Sequence, residues 1–178
     1  MLNRRLLIGW MIATPLSLSG CGWEPLYADP ETRPASADLR AIRVAPIAER
    51  IGQKLELALR TWFNPTGEPT PTRYILNTTL SVVRLDLGIS SQGLGTRARL
   101  EANAAYVLHD IRSGAPLTTG NVHVSQSFDI LANQYANIVA EQDARNRAVE
   151  ELRRELTTRL EVFFQRHAAA APPPAARR

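Results

Sequence analysis

Three stretches between Arg73 and Ile130 alternate apolar and polar side chains and follow one another through short connections. A period of two is the pattern of a strand with one buried face, so this part of the chain can form little other than an antiparallel meander. The clearest run is TRARLEANAAYVLHDI. In it Ala98, Leu100, Ala102, Ala104, Tyr106 and Leu108 share one face, and Arg97, Arg99, Glu101 and Asn103 share the other. RSGAP is a turn into LTTGNVHVSQSFDI, which sets Val122, Val124, Phe128 and Ile130 on a single face. The preceding run, RYILNTTLSVVRLDLGIS, changes parity: Tyr74, Leu76, Leu80 and Val82 face one way, then Val83, Leu85, Leu87 and Ile89 the other. That slip predicts a bulge or bend near Val82-Val83. SSQGLG (90–95) reads as the flexible connection between the first two runs.

A meander needs a cover for its apolar face, and two segments have the periodicity to supply it. AIRVAPI (41–47) reads as a short strand. ERIGQKLELALRTWF then repeats Ile51, Leu55, Leu59 and Trp62 at helical spacing and ends at NPTGEPTPT. Residues 134 to about 167 predict a long helix with an apolar stripe of Ile138, Val149, Leu152, Leu156, Leu160 and Phe163. The expected order is β-α-β-β-β-α. The fold class is α+β: a two-layer sandwich with two helices on one face of a four-stranded, mostly antiparallel sheet, occupying residues 39–167.

The chain holds a single cysteine, Cys21, which cannot close an intrachain disulfide. Upstream of it, Asn3-Arg4-Arg5 form a positive n-region and Leu6 to Ala13 an apolar h-region, the layout of a secretory signal over residues 1–20. This apolar run is far shorter than the ~20 residues that span a bilayer. Leu18-Ser19-Gly20-Cys21 resembles the lipobox of bacterial lipoproteins. The resemblance implies that the thiol is joined to diacylglycerol, the leader removed and the new amino group acylated. Two or more acyl chains anchor a protein stably, each buried CH₂ adding about 0.8 kcal/mol. Residues 21–38, with three prolines after Glu24, read as the lipidated N-terminus and its extended linker; residues 168–178, rich in alanine and proline, read as a disordered tail.

Cleavage before Cys21 would leave about 158 residues, enough to bury ~68–70% of the unfolded surface in one core. Of the 178 residues, 21 are basic and 17 acidic; loss of Arg4 and Arg5 with the leader brings the net charge from +4 to about +2. That balance, without a dense basic tract, does not point to nucleic acid. The three histidines show no ligand spacing, so no metal and no cofactor is expected. His109 and His123 could face each other across the meander, and a structural role is the favoured reading. Gly93-Leu94-Gly95 is a hairpin tip rather than a phosphate loop, and no nucleophile elbow or paired carboxylates occur. No catalytic residue is assigned. Arg97 and Arg99, two apart on one strand, point from one face, and Arg84 on the preceding strand can approach them if the hairpin register allows. This is either a solvated outer face or an anion site, since Arg forks match phosphate oxygens.

The lipobox followed by CGWEPLY, then RIGQKLELAL, TRARLEANAAYVLHDIRSGAPLTTG and YANIVAEQDARNRAVEEL, together resemble the lipopolysaccharide (LPS)-assembly lipoproteins of the LptE family in their alphaproteobacterial form. The likeness runs from about Cys21 to Leu160. It implies a β-α-β-β-β-α domain without enzymatic activity, seated as plug and assembly partner inside an LptD-like outer-membrane β-barrel, the LPS translocon, and helping to insert LPS into the outer leaflet. It also implies a position on the periplasmic side of the outer membrane, held by the N-terminal lipid; Gly22, where aspartate favours inner-membrane retention in enteric bacteria, agrees with that. The LPS contact would then map to Arg97 and Arg99, with Arg84 beside them. An accessory lipoprotein of an ABC-type lipid transporter is the alternative. Cys21→Ala is expected to abolish processing and to move the protein out of the membrane fraction, as read by globomycin sensitivity and membrane fractionation.

Overall fold

The computed structural model describes residues 34–69, 71–89 and 95–170. The leader, Cys21, most of the linker, the hairpin tip at 90–94 and the last eight residues lie outside the described residues. Seven elements follow in the order α-β-α-β-β-β-α: α1 (Pro34–Arg40), β1 (Ile42–Val44), α2 (Glu49–Phe63), β2 (Tyr74–Ile89), β3 (Gly95–Asp110), β4 (Pro116–Asp129) and α3 (Gln134–Ala170). The fold is the expected α+β sandwich with one helix added in front.

The meander forms as its alternation dictates. β2 pairs antiparallel with β3 from Tyr74↔Asp110 to Leu87↔Arg97, and β3 with β4 from Arg97↔Asp129 to Leu108↔Thr118. β1 adds in parallel at the far side of β2, Ile42↔Tyr74 to Val44↔Leu76, because α2 carries the chain back across the sheet between them. The sheet order is β1-β2-β3-β4. Beyond Leu76, β2 has no strand neighbour on its outer side among the described residues.

The bulge expected at Val82-Val83 is absent: the register runs straight through, and the β3–β4 register shifts instead at Leu108/His109 beside the turn. What changes at Val82 is the chemistry of the faces. Val83 and Leu85 lie on the outer face, 49% and 39% exposed, while Arg84 takes the inward position. A regular strand with apolar residues on its solvent side mimics a phase slip in the sequence.

Both long helices cover the inner face. α2 buries Ile51, Gly52, Leu55, Leu59 and Phe63. Phe63 therefore holds the place expected for Trp62, which is exposed and carries the Arg153 guanidinium over its ring at 4.7 Å. α3 buries Ala144, Ala148, Val149, Leu152, Leu156, Leu160 and Phe164; Phe163 is only half-buried and Ile138 is exposed. The two alanines mark where the helix comes close to the sheet. Ala144 packs with Ala98, Leu100 and Phe128 in a small distal cluster, and the rest joins the main core.

The stretch read as linker ends in structure. α1 occupies Pro34–Arg40, and Asp38 accepts hydrogen bonds from Arg73 Nη1 (2.7 Å) and Tyr74 Oη (3.1 Å). Asn64 Nδ2 donates to the Arg40 carbonyl at 2.7 Å, tying the end of α1 to the end of α2. At the other terminus α3 continues to Ala170, past the expected end at His167.

One glycine in the sheet is required by packing. Tyr106 lies flat over Gly120, and a Cβ there would sit 2.7–2.8 Å from the Tyr106 hydroxyl and ring. Gly120→Ala is expected to lower the unfolding free energy by about 1–3 kcal/mol in urea titrations. The loss should shrink in a Tyr106→Leu background, where the ring is gone; an equal loss there would mean that strand propensity rather than overlap is responsible.

Candidate functional site

Ala98 and Leu100 are fully buried against α3, so the strand alternation turns Arg97 and Arg99 outward. Their cross-strand neighbours follow from the register. Leu87 and Asp129 flank Arg97; Leu85 and Ser127 flank Arg99; Val83 and Ser125 flank Glu101. The outer face thus carries an apolar column on β2 beside a charged column on β3 and a polar one on β4. Arg97 is 62% and Arg99 44% exposed. Their ion pairs are long: Arg97 Nε to Asp129 at 3.4 Å and Arg99 Nη1 to Glu101 at 3.9 Å. Exposed pairs of this kind contribute about 0–1 kcal/mol, so both guanidinium groups remain available to a stronger anion.

Arg84 does not join them. It stands directly opposite Leu100, a fully buried residue, and opposite residues in an antiparallel pair share a face. Its guanidinium lies on the helix side, donating to Asp86 (2.9 Å) and to Glu141 of α3 (2.7 Å) and resting 5.5 Å from the centre of the Phe128 ring. The candidate anion site is therefore Arg97 with Arg99. The sequence spacing of two could place Arg97 and Arg99 together, but only the hairpin register decides the face on which Arg84 falls.

The histidines are apart as well. His123 stands opposite Asn103, with Nδ1 2.9 Å from the Asn103 Oδ1, and His109 opposite Pro116. His167 stacks on Phe163 at 5.7 Å. Among the described residues no three His, Cys, Asp or Glu side chains gather in a way that could hold a metal. Asp110 is committed to a turn: it accepts the backbone N–H of Arg112 and Ser113, and these bonds hold its carboxyl below the usual carboxylate range. No described helix is long and apolar enough to cross a membrane. One feature escaped sequence reasoning, a groove between the first turns of α2 and the start of α3 that gathers Arg50, Lys54 and Arg145 around Ile138. Its only signal in the sequence is Arg50 and Lys54 at i, i+4, which does not reveal the third cation.

A family model described as Lipopolysaccharide-assembly, LptE, matches residues 39–161. Among solved structures, a lipoprotein from Caulobacter crescentus CB15 is 26% identical, with a TM-score of 0.60, over 74% of this chain and 96% of that one. A minor lipoprotein from Acinetobacter baumannii is 14% identical over 68% of this chain and 88% of that one, with a TM-score of 0.48. Lipoprotein B from Nitrosomonas europaea is 17% identical over 71% and 86%, also at 0.48. No curated protein sequence matches the chain.

Glu141 fastens the distal part of β2 to α3. Its Oε1 accepts from Arg145 Nε and Nη2 (3.1 and 2.6 Å), and its Oε2 from Arg84 (2.7 Å). The Arg145 hydrogen bonds, and behind them Arg84, hold its carboxyl below the ordinary value of 4.5. A lowered folded pKa adds stability above the unfolded value, and that stability is lost as pH falls through the folded one. Glu141→Gln is expected to lower the melting temperature at neutral pH and to flatten the acid limb of the stability profile below pH 4.5. Parallel pH–melting curves for the two proteins would refute the clamp.

Proposed function

The chain belongs to the LptE lipopolysaccharide-assembly family, whose model spans residues 39–161, and from that premise we propose that it plugs and assembles an LptD-like β-barrel, the LPS translocon. In this reading it is lipid-anchored through Cys21 to the periplasmic side of the outer membrane and helps to insert LPS into the outer leaflet. Membership puts its role in LPS assembly and its place in the cell envelope; the family is non-enzymatic in general. The barrel, the anchor and the outer-membrane address are the finer proposal.

The observation that carries it is the outer face of the sheet. LPS presents phosphates next to acyl chains, and Leu85 and Leu87 stand directly beside Arg99 and Arg97 in adjacent strands. A guanidinium pair next to an apolar column can meet both parts of such an amphiphile at once. The same face, continued by Glu101, Ser125, Ser127 and Asp129, is polar enough to border a hydrated barrel lumen.

Two measurements test this reading. The full-length chain purified from detergent-solubilised membranes should bring down an outer-membrane barrel identified by mass spectrometry; recovery of inner-membrane ABC-transporter subunits instead would favour the accessory role. Arg97→Ala/Arg99→Ala should weaken binding of purified LPS by about tenfold, roughly 1.4 kcal/mol, with the melting temperature unchanged. Unaltered affinity in the folded double variant would remove these two arginines from the LPS contact.

A further inference from the structure

We propose that the groove between the first turns of α2 and the start of α3 is a docking site for an acidic, apolar-anchored segment of the barrel partner. The proposal rests on the assembly role above and adds to it the surface and the chemistry of one contact.

Charge is the first argument. The groove, with a volume of about 310 Å³, is lined by Arg50, Lys54 and Arg145 against the single carboxylate of Glu141. Both oxygens of that carboxylate are already engaged by Arg145 and Arg84. Lys54 Nζ donates to a neutral acceptor, Asn146 Oδ1, at 2.8 Å, and among the described residues Arg50 meets no carboxylate. These two cations are also placed where a helix least favours them. They sit four residues apart on one face, a like-charge spacing that is destabilising, and Arg50 lies in the first turn, at the positive end of α2. An external carboxylate in the groove would relieve both effects.

The rim is the second argument. α3 buries no residue before Ala144, and Ala140 alone in its first two turns packs, half-buried, on the distal cluster. Ile138 lines the groove and is 61% exposed, and Tyr135, at 75%, and Val139 extend the same apolar surface. A contiguous apolar patch bordered by cations marks an interaction surface rather than a solvated one. About 310 Å³ takes a few side chains, such as carboxylates with one apolar anchor over Ile138. The groove lies in the helix layer, so its occupation leaves the Arg97 and Arg99 face of the sheet open.

The test uses the full-length lipidated chain co-expressed with its barrel and carrying the photocrosslinker p-benzoylphenylalanine at position 138. The expected product joins position 138 to an acidic segment of the barrel. It should fall at least tenfold in Arg50→Glu/Lys54→Glu, return when that segment's carboxylates are changed to lysine, and stay unchanged in the control Arg60→Glu; circular dichroism melts confirm that the variants fold. A crosslink to LPS instead of protein overturns the proposal, as does a barrel crosslink that survives the charge reversal. An intact complex without any protein crosslink at position 138 overturns this proposal alone. Failure of the unmodified chain to co-purify with a barrel overturns the assembly role together with it.

Discussion

The unbroken antiparallel register between β2 and β3 decides where Arg84, Arg97 and Arg99 point. Fourteen successive positions from Tyr74 to Leu87 find partners in β3 without a bulge. A shift of one residue would exchange the faces of a whole strand, burying Arg97 and Arg99 and exposing Leu100. Such a shift is opposed at many points at once, because Ala98, Leu100, Ala102, Ala104 and Leu108 have no exposed surface and each fits a site beneath a helix. The small residues matter as much as the large ones. Ala102 and Ala104 lie beneath the helical layer, and Gly120 makes room for the Tyr106 ring. The outer face is therefore specified by packing on the inner one.

That packing thins toward the distal end, and polar contacts take over. The main core holds Leu55, Leu59, Leu76, Leu108, Leu152, Leu156 and Phe164, whereas the distal cluster has four buried members. There the helix is fastened by Arg84–Glu141–Arg145 and by Gln126 Nε2 donating to Glu151 at 2.6 Å. On the β4 side, Arg159 of α3 donates to the Asn121 carbonyl at 2.8 Å, so a guanidinium occupies part of an edge that would otherwise be open to pairing. Side chains of one long helix thus complete the sheet at positions where apolar burial alone would not.

How far the sequence could be read depended on whether a feature was local. Alternation through Ala98–Leu108 and Val122–Phe128 reported its own faces correctly, because neighbours in the sequence alternate sides whatever the rest of the fold does. Helical spacing identified α2 and α3, but a 3.6-residue turn leaves adjacent positions close in angle, and Phe63 rather than Trp62 went inside. Ile138 was misread for a different reason: α3 is longer than the layer it packs on, and its periodicity continues past the last available contact. α1 was hidden by its proline and small residues, which suit a first helical turn as well as a linker. The partnership of Arg84 with Glu141, 57 residues away, and the gathering of Arg50, Lys54 and Arg145 arise from register and helix packing, which no local pattern encodes.

The resulting domain separates its charged features by layer. The sheet's outer face sets arginines beside leucines with weak, exposed ion pairs. The helix layer instead holds the Glu141 carboxylate in three hydrogen bonds and leaves cations in excess around an apolar rim. Had Arg84 pointed outward with Arg97 and Arg99, the two layers would compete for the same anions and the distal sheet would lose its bond to α3. Its inward position does both jobs: it neutralises Glu141 inside the structure and keeps the outer site to two arginines. That separation of charge between the two layers follows from the alternation of a single strand.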